Sequence, residues 1–234
     1  MSASLAIPSE FNGPVESGNG GYSSGIAAGL LEGPAEVTLR RPVPLDRRLD
    51  VERDGAGVRL LDDGGLVIEA REVSELDLDV PAPVSVVEAR RAAAGYRGSS
   101  EDVFRSCFVC GRARADAFGV NAGAVEGRGV VASPWTPPAW TANGDGRVRD
   151  EFVWAVLDCP TYFALYMDRP EPPLSVLGRF TVRVHRPVVP GEEYVVMAWP
   201  IEIDGRKHHA GSALLSPSGE VLAVARALLI EPRG

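Results

Sequence analysis

Two stretches of the chain resemble each other, one in its first third and one in its last third. Residues 37–44 (VTLRRPVP) are echoed by residues 182–190 (VRVHRPVVP), and residues 60–68 (LLDDGGLVI) by residues 214–222 (LLSPSGEVL). The second pair has apolar strand residues on both sides of a glycine-bearing turn, which predicts a β-hairpin in each copy. Similarity at a long internal spacing predicts that one structural unit occurs twice.

Each predicted unit begins with a helix and continues into antiparallel strands. Residues 22–31 and 151–167 have helical character and precede the two strand groups. Such a unit buries its apolar helix against one face of a curved antiparallel sheet, which places the chain in the α+β class. Residues 84–96 also have helical composition, between a Pro-Ala-Pro break and Gly98-Ser99-Ser100. We therefore predict a first unit at 1–83, a linker helix within 84–104 and a second unit at 105–234.

Charge and composition exclude several functions. The chain has 24 basic and 32 acidic residues, a formal charge of −8, and its charges are interspersed, so nucleic acid is not an expected partner. Residues 1–10 lack the charged and apolar pattern of a leader, and no apolar run reaches the length of a membrane span. Three cysteines are an odd number for a disulfide framework. We expect a cytoplasmic protein with no membrane partner.

Several motifs, in this order along the chain, resemble the hotdog-fold acyl-CoA thioesterases of the phenylacetate type. These motifs are Asn19-Gly20-Gly21, Cys107-Phe108-Val109-Cys110-Gly111, Ala155-Val156-Leu157-Asp158, residues 186–192 and residues 204–207. The resemblance covers most of residues 11–232. It implies a double hotdog, in which two sheets each wrap a central helix and pack as a pseudo-dimer around an acyl-thioester cleft. It also implies that two such chains can associate as a homodimer through their sheet edges.

In that family, the start of one central helix and a carboxylate from the opposite helix form the active site. A His-Gly-Gly sequence opens the helix and offers a backbone N–H to the thioester carbonyl. The carboxylate lies seven residues beyond the second glycine position of its own helix. The unpaired N–H groups of a helix start suit a developing oxyanion, and glycine lets the substrate approach them. A carboxylate across the cleft can activate water or attack the carbonyl.

Counting along the sequence divides these two functions between the two predicted units. Seven residues beyond Gly21 stands Ala28, so the first helix has the glycines and lacks the acid. In the second helix the glycine positions hold Asp150 and Glu151, and seven residues beyond Glu151 stands Asp158. The resemblance therefore implies one composite site, with Gly21 N–H as oxyanion donor and Asp158 as general base or nucleophile.

The predicted substrate-binding residues surround this pair. They are Asn19, Gly20, Tyr22, Glu151, Trp154 and Tyr162. Two departures from the family pattern leave alternatives open. Asn19 stands where histidine is usual, and residues 19–21 also fit an ordinary turn and helix start. Pro160 predicts a kink or break in the second helix, in which case Asp158 would cap a segment that begins at Thr161.

Other chemistry has less support in the sequence. Cys107 and Cys110 have the spacing of two metal ligands, but no second close pair of ligands is visible, and we expect buried, inert thiols without a metal or cofactor. A hotdog dehydratase or hydratase needs a histidine beside an acid, and the first histidine is His185. A hotdog protein that binds an acyl or small apolar ligand without catalysis remains a second hypothesis.

Overall fold

A computed structural model describes residues 3–55, 57–98 and 102–232. It contains helices α1 (Gly20–Ala28), α2 (Val86–Ala94) and α3 (Asp150–Leu165). The strands are β1 (Ser4–Leu5), β2 (Ala35–Leu39), β3 (Leu49–Asp54), β4 (Gly57–Asp62), β5 (Gly65–Glu72), β6 (Gly123–Val125), β7 (Val130–Trp135), β8 (Val176–Val184), β9 (Tyr194–Asp204), β10 (Lys207–Leu215) and β11 (Val221–Ile230). All of them belong to one sheet, in the order β1-β3-β4-β5-β2-β8-β11-β10-β9-β7-β6.

The pairing of β2 with β8 lies at the centre of this sheet, with Val37 opposite Phe180. Outward from this pair, one side continues with β5, β4, β3 and β1, and the other with β11, β10, β9, β7 and β6. Neighbouring strands are antiparallel throughout. Both predicted hairpins are confirmed, as β4–β5 and β10–β11. Asp63 and Gly64 take positive φ angles of 48° and 77° in the first turn, which glycine and aspartate tolerate.

The two central helices are close to their predicted positions, and α3 is not interrupted at Pro160. Proline lacks the N–H that a helix interior needs, so carbonyl groups near it require other donors. The Ser212 hydroxyl donates to the Leu157 carbonyl at 2.7 Å, and the Thr161 hydroxyl donates to the Asp158 carbonyl at 2.6 Å. These two bonds satisfy carbonyls around the proline, and the helix continues to Leu165.

The sheet is covered on both faces over its second half. Helices α1 and α3 contact each other and share the main core with one face of the sheet. Helix α2 packs on β6 and β7 and forms a second core there. Strand β9 serves both cores, because Val196 belongs to the first while Val195 and Met197 belong to the second. Burial on both faces explains why this strand is apolar at consecutive positions.

Helix α2 lies where the sequence predicts the linker helix. Its start is a capping box, in which the Ser85 hydroxyl accepts from Glu88 N while the Glu88 carboxylate accepts from Ser85 N at 2.8 Å. Residues 99–101, which fall within the predicted linker, lie outside the described residues. The boundaries 1–83, 84–104 and 105–234 remain predictions.

Removing the cap is expected to weaken the fold measurably. Ser85→Ala deletes one acceptor and one donor at the start of α2, so the free energy of unfolding should fall by about 1 kcal/mol. Urea denaturation of both proteins measures this difference. Ser74→Ala is the matched control, because Ser74 is an exposed serine between β5 and α2. An equal effect of the two substitutions would contradict the capping role.

Both edges of the sheet are short strands, β1 with two residues and β6 with three. Short edges offer few unpaired backbone groups to another chain. Association of two chains through these edges therefore stays a prediction. No helix within the described ranges is long and apolar enough to cross a membrane.

Candidate active site between helices α1 and α3

Helices α1 and α3 run antiparallel and touch each other closely at two glycines of α1. A Cβ added to Gly21 would lie 2.6 Å from the Trp154 carbonyl oxygen and from Asp158 Cβ. A Cβ added to Gly25 would lie 2.5 Å from Glu151 Cα. Such distances are far below van der Waals contact, so these positions require glycine. The glycines therefore set how closely the start of α1 approaches the middle of α3.

This close approach brings Gly21 and Asp158 together. The Gly21 N–H donates to Asp158 Oδ2 at 2.8 Å, across the interface between the two helices. The alternative in which the Asp158 side chain caps a second helical segment is wrong. That side chain reaches α1, and only the Asp158 backbone carbonyl accepts the hydroxyl of Thr161.

The Asp158 carboxyl is partly buried and has an unusual proton affinity. Its pKa is raised to about 7, chiefly because burial disfavours the charged form; the hydrogen bond from Gly21 N–H offsets part of this rise, and the nearby Cys107 sulfur adds a smaller one. Desolvation disfavours the charged form of an acid, and a hydrogen bond to the carboxylate favours it. Near neutral pH this carboxyl can therefore either hold or accept a proton.

Asn19 caps the start of α1 and also contacts two cysteines. Its Oδ1 accepts from Tyr22 N at 2.9 Å, which is the bond typical of an asparagine N-cap. Its Nδ2 donates to the sulfurs of Cys107 at 3.7 Å and Cys159 at 3.8 Å. The ordinary helix-start interpretation thus holds for Asn19, and the same turn also presents Gly21 to Asp158. Within the described ranges, the N–H of Gly20 has no hydrogen-bond acceptor.

A cavity of about 580 Å³ opens beside this pair. Four of the predicted site residues line it: Asn19, Gly20, Asp158 and Tyr162. Much of the remaining wall is apolar. Strands β2 and β8 and the loops beside them supply Leu39, Val43, Leu174 and Leu177, while Phe163 comes from α3 and Phe104 from the segment before Cys107. The described residues that line the cavity include no histidine. A partly buried acid in an apolar cavity is a common arrangement for a small-molecule site.

Three predicted binding residues lie outside the cavity lining. The Tyr22 ring stacks on Phe11 with 4.3 Å between ring centroids, because the residue after Gly21 points around the helix into an aromatic cluster. Trp154 is buried against Phe180. Glu151 lies in the first turn of α3, about two helical turns before Asp158, and pairs with Arg149 at 3.2 Å. In this structure these three side chains make packing and ion-pair contacts, and their contact with substrate stays a prediction.

Cys159 also lies at the site, although no sequence motif indicates it. Its sulfur lies 3.8 Å from that of Cys107, and all three cysteines line the cavity. The sequence shows no second close pair of ligands beside Cys107 and Cys110, and the structure adds one thiol, that of Cys159. The only sequence signal was the position of Cys159 directly after Asp158, and local spacing does not connect it with residues 107–110.

Comparison with known proteins relates the chain to others through structure. No family model matches the sequence, and no curated protein does so either. Among solved structures, the tesB protein of Mycobacterium avium subsp. paratuberculosis has a TM-score of 0.63 and 14% identity, covering 98% of this chain and 91% of that one. A candidate thioesterase from Novosphingobium aromaticivorans has a TM-score of 0.62 and 14% identity, with coverages of 98% and 95%.

A third solved structure is a conserved protein of unknown function with a hotdog fold from Alicyclobacillus acidocaldarius. Its TM-score is 0.62 at 10% identity, covering 99% of this chain and 93% of that one. Likeness at 10–14% identity concerns the fold, and it extends over nearly the whole chain. With its large antiparallel sheet and its central helices, this chain has the hotdog fold, which it shares with proteins described as thioesterases.

Proposed function

We propose that this protein hydrolyses an acyl thioester, either an acyl-CoA or a carrier-bound acyl group, between helices α1 and α3. The observation that carries this proposal is the 2.8 Å contact of Gly21 N–H with the Asp158 carboxylate, next to a 580 Å³ cavity with apolar walls. The fold shared with proteins described as thioesterases supports the same reaction class. In this reaction the acyl chain occupies the cavity and the thioester carbonyl lies at the start of α1.

The start of α1 supplies the groups that stabilise the oxyanion. The N–H of Gly20 has no acceptor among the described residues, and the N–H of Gly21 is held by Asp158. The thioester oxygen binds to Gly20 N–H and takes over or shares Gly21 N–H. These donors and the positive end of the helix dipole then stabilise the negative charge that develops on the oxygen. When the thioester oxygen takes over the Gly21 N–H, Asp158 no longer accepts this hydrogen bond, and its carboxylate can act on a water molecule.

Asp158 then acts as general base. It removes a proton from water while the water oxygen forms a bond to the acyl carbon. When the C–S bond breaks, the proton passes to the departing sulfur, and a carboxylic acid and a free thiol leave. Direct attack by the carboxylate, which forms an anhydride that water then cleaves, uses the same residues and gives the same products.

Two arginines of the cavity lining have exposed side chains, Arg40 and Arg41. Arg40 pairs with Glu69, and the Arg41 guanidinium lies over Gly65. Guanidinium groups bind phosphate well, so these residues supply the positive charge for the phosphates of coenzyme A or of a carrier arm. The proposal places the thiol half of the substrate on this side of the cavity.

We further propose that the chain is a double hotdog with one complete site. The strand order outward from the central β2–β8 pair supports two equivalent units, each with its helix placed before the central strand. At the counterpart of the Gly21–Asp158 pair, Glu151 occupies the position of the glycine and Ala28 occupies the position of the acid. This second position therefore has neither the helix-opening glycine nor the carboxylate that the reaction needs. One functional site per chain, a cytoplasmic location and association into homodimers belong to this proposal.

Hydrolysis is expected to become more efficient as the acyl chain lengthens. Each methylene buried in the cavity stabilises the complex by about 0.8 kcal/mol, which is about fourfold in kcat/KM until the cavity is full. Release of free thiol from acetyl, butanoyl, hexanoyl, octanoyl and phenylacetyl thioesters measures the trend. Rates independent of chain length would contradict the placement of the acyl group in this cavity. Tight retention of the thioester without thiol release would support the ligand-binding hypothesis instead.

A further inference from the structure

Three cysteines from two distant segments converge at the wall of the cavity. Cys107 and Cys110 belong to the loop before β6, and Cys159 belongs to α3. Their three sulfurs all lie within 4.8 Å of one another, and those of Cys107 and Cys159 are 3.8 Å apart. The Gly21–Asp158 chemistry proposed above uses none of these thiols. A cluster of three buried or partly buried thiols is the typical ligand set of a thiophilic metal ion.

The turn at residues 107–111 orients two of the sulfurs. The N–H of Gly111 donates to the Cys107 carbonyl at 2.8 Å, which closes this turn. A Cβ on Gly111 would lie 2.4 Å from that same carbonyl oxygen, so this tight turn requires glycine. Because the turn brings residues 107 and 110 back toward each other, their two sulfurs lie within reach of one ion, as in the Cys-x-x-Cys ligand pairs of metal sites.

Further polar groups around the cluster favour negative charge on sulfur. Asn19 Nδ2 donates to the sulfurs of Cys107 and Cys159. Hydrogen-bond donors of this kind favour a thiolate over a neutral thiol, which suits these sulfurs to a cation.

We propose that Cys107, Cys110 and Cys159 bind one zinc ion, whose fourth coordination position opens into the cavity. Zinc binds thiolates at about 2.3 Å in tetrahedral geometry, which places neighbouring sulfurs about 3.8 Å apart. The Cys107–Cys159 separation of 3.8 Å already has this value. Since all three cysteines line the cavity, a water molecule or a ligand atom from the cavity completes the tetrahedron.

Binding releases protons and leaves oxidation states unchanged. The thiols that are still protonated lose their protons to solvent as their sulfurs bind the ion, so that three thiolates and one Zn²⁺ carry a net charge of −1. The hydrogen bonds from Asn19 Nδ2 to the sulfurs of Cys107 and Cys159 compensate part of this charge. A disulfide would require an oxidant and would use only two of the three sulfurs.

Metal analysis of the full chain tests the proposal. The protein is purified in a reducing buffer without chelator, given excess zinc and passed through a desalting column. Elemental analysis should then find about one zinc per chain. Replacement of zinc by Co²⁺ should give the visible absorption of a tetrahedral cobalt ion and a sulfur-to-metal band in the near ultraviolet. Zinc should also raise Tm and protect the three thiols from alkylation.

Cys110→Ser and Cys159→Ser should each lose stoichiometric zinc and the sulfur-to-cobalt band. His209→Gln is the matched control, because His209 is a ligand-type residue outside the cluster, and it should retain both. If a cysteine variant does not fold, thiol protection and cobalt absorption in the unchanged chain still decide. Zinc contents near zero, unchanged binding in the cysteine variants, or a Cys107–Cys159 disulfide in the reduced preparation would each overturn the proposal.

Discussion

Asp158→Asn is expected to lower the rate of thioester hydrolysis by about 10²–10⁴-fold, the usual contribution of a general base. Asparagine has nearly the same shape and keeps an oxygen that can accept from Gly21 N–H, so the contact between α1 and α3 should persist. It cannot take a proton from water or attack the carbonyl. The loss should therefore appear in kcat at saturating substrate, with little change in KM, and steady-state thiol release measures both.

The same substitution should stabilise the fold. A partly buried carboxylate whose pKa is raised by desolvation is unfavourable for folding, and the neutral amide removes that cost. We expect a gain of about 1 kcal/mol, which corresponds to about 2–4 °C in Tm for a chain of this size. A rise in Tm together with a loss of rate is a result that a purely structural aspartate would not give.

Glu16→Gln is the matched control for charge removal. Glu16 also lines the cavity, but its side chain is exposed and carries no role in the proposed chemistry. This variant should keep both its rate and its Tm close to those of the unchanged protein. If Asp158→Asn hydrolysed thioesters as fast as Glu16→Gln, the assignment of Asp158 as the base would be wrong.

The sequence predicts the main elements well because their signals are local or repeated. Both hairpins have their turn glycine within a few residues of the strands that it joins, and each central helix precedes its strand group. The closeness of Gly21 and Asp158 is predicted from a resemblance in the spacing of residues along the two helices, and the structure has the two residues in contact. The structure holds them together through the small glycine surface of α1.

The rest of the site depends on rotation about helices and on distant contacts, which periodicity does not reveal. Tyr22 follows Gly21 directly, yet one residue turns a side chain by about 100° around a helix, into the aromatic cluster. Cys159 is 52 residues from Cys107 and meets it only through the packing of α3 against the loop before β6. The sequence predicts a kink or break at Pro160, whereas α3 continues past it, and the bond from Ser212 on β10 to the Leu157 carbonyl is one that no local pattern indicates.

Gly21→Ala is expected to destabilise the fold by about 1–3 kcal/mol and to lower the hydrolysis rate by about 100-fold or more. The added methyl would lie 2.6 Å from the Trp154 carbonyl and from Asp158 Cβ, and 3.0 Å from Ala155 Cα. Two of these atoms belong to the backbone, so no side-chain rotation relieves the clash. Helices α1 and α3 must separate, which lengthens the 2.8 Å bond between Gly21 and Asp158 and misplaces the carboxylate.

Gly29→Ala separates this effect from the general influence of glycine on the unfolded chain. Gly29 ends the same helix with a φ of −62°, is exposed, and would place its Cβ at an ordinary 3.4 Å from the nearest atom. Alanine there should be neutral or stabilise by about 0.4–1 kcal/mol, because it restricts the unfolded chain without a clash. Urea denaturation and thiol release on both variants measure the contrast. If Gly21→Ala were as stable and as active as Gly29→Ala, the close helix contact would not hold Asp158, and the geometry of the proposed site would fail.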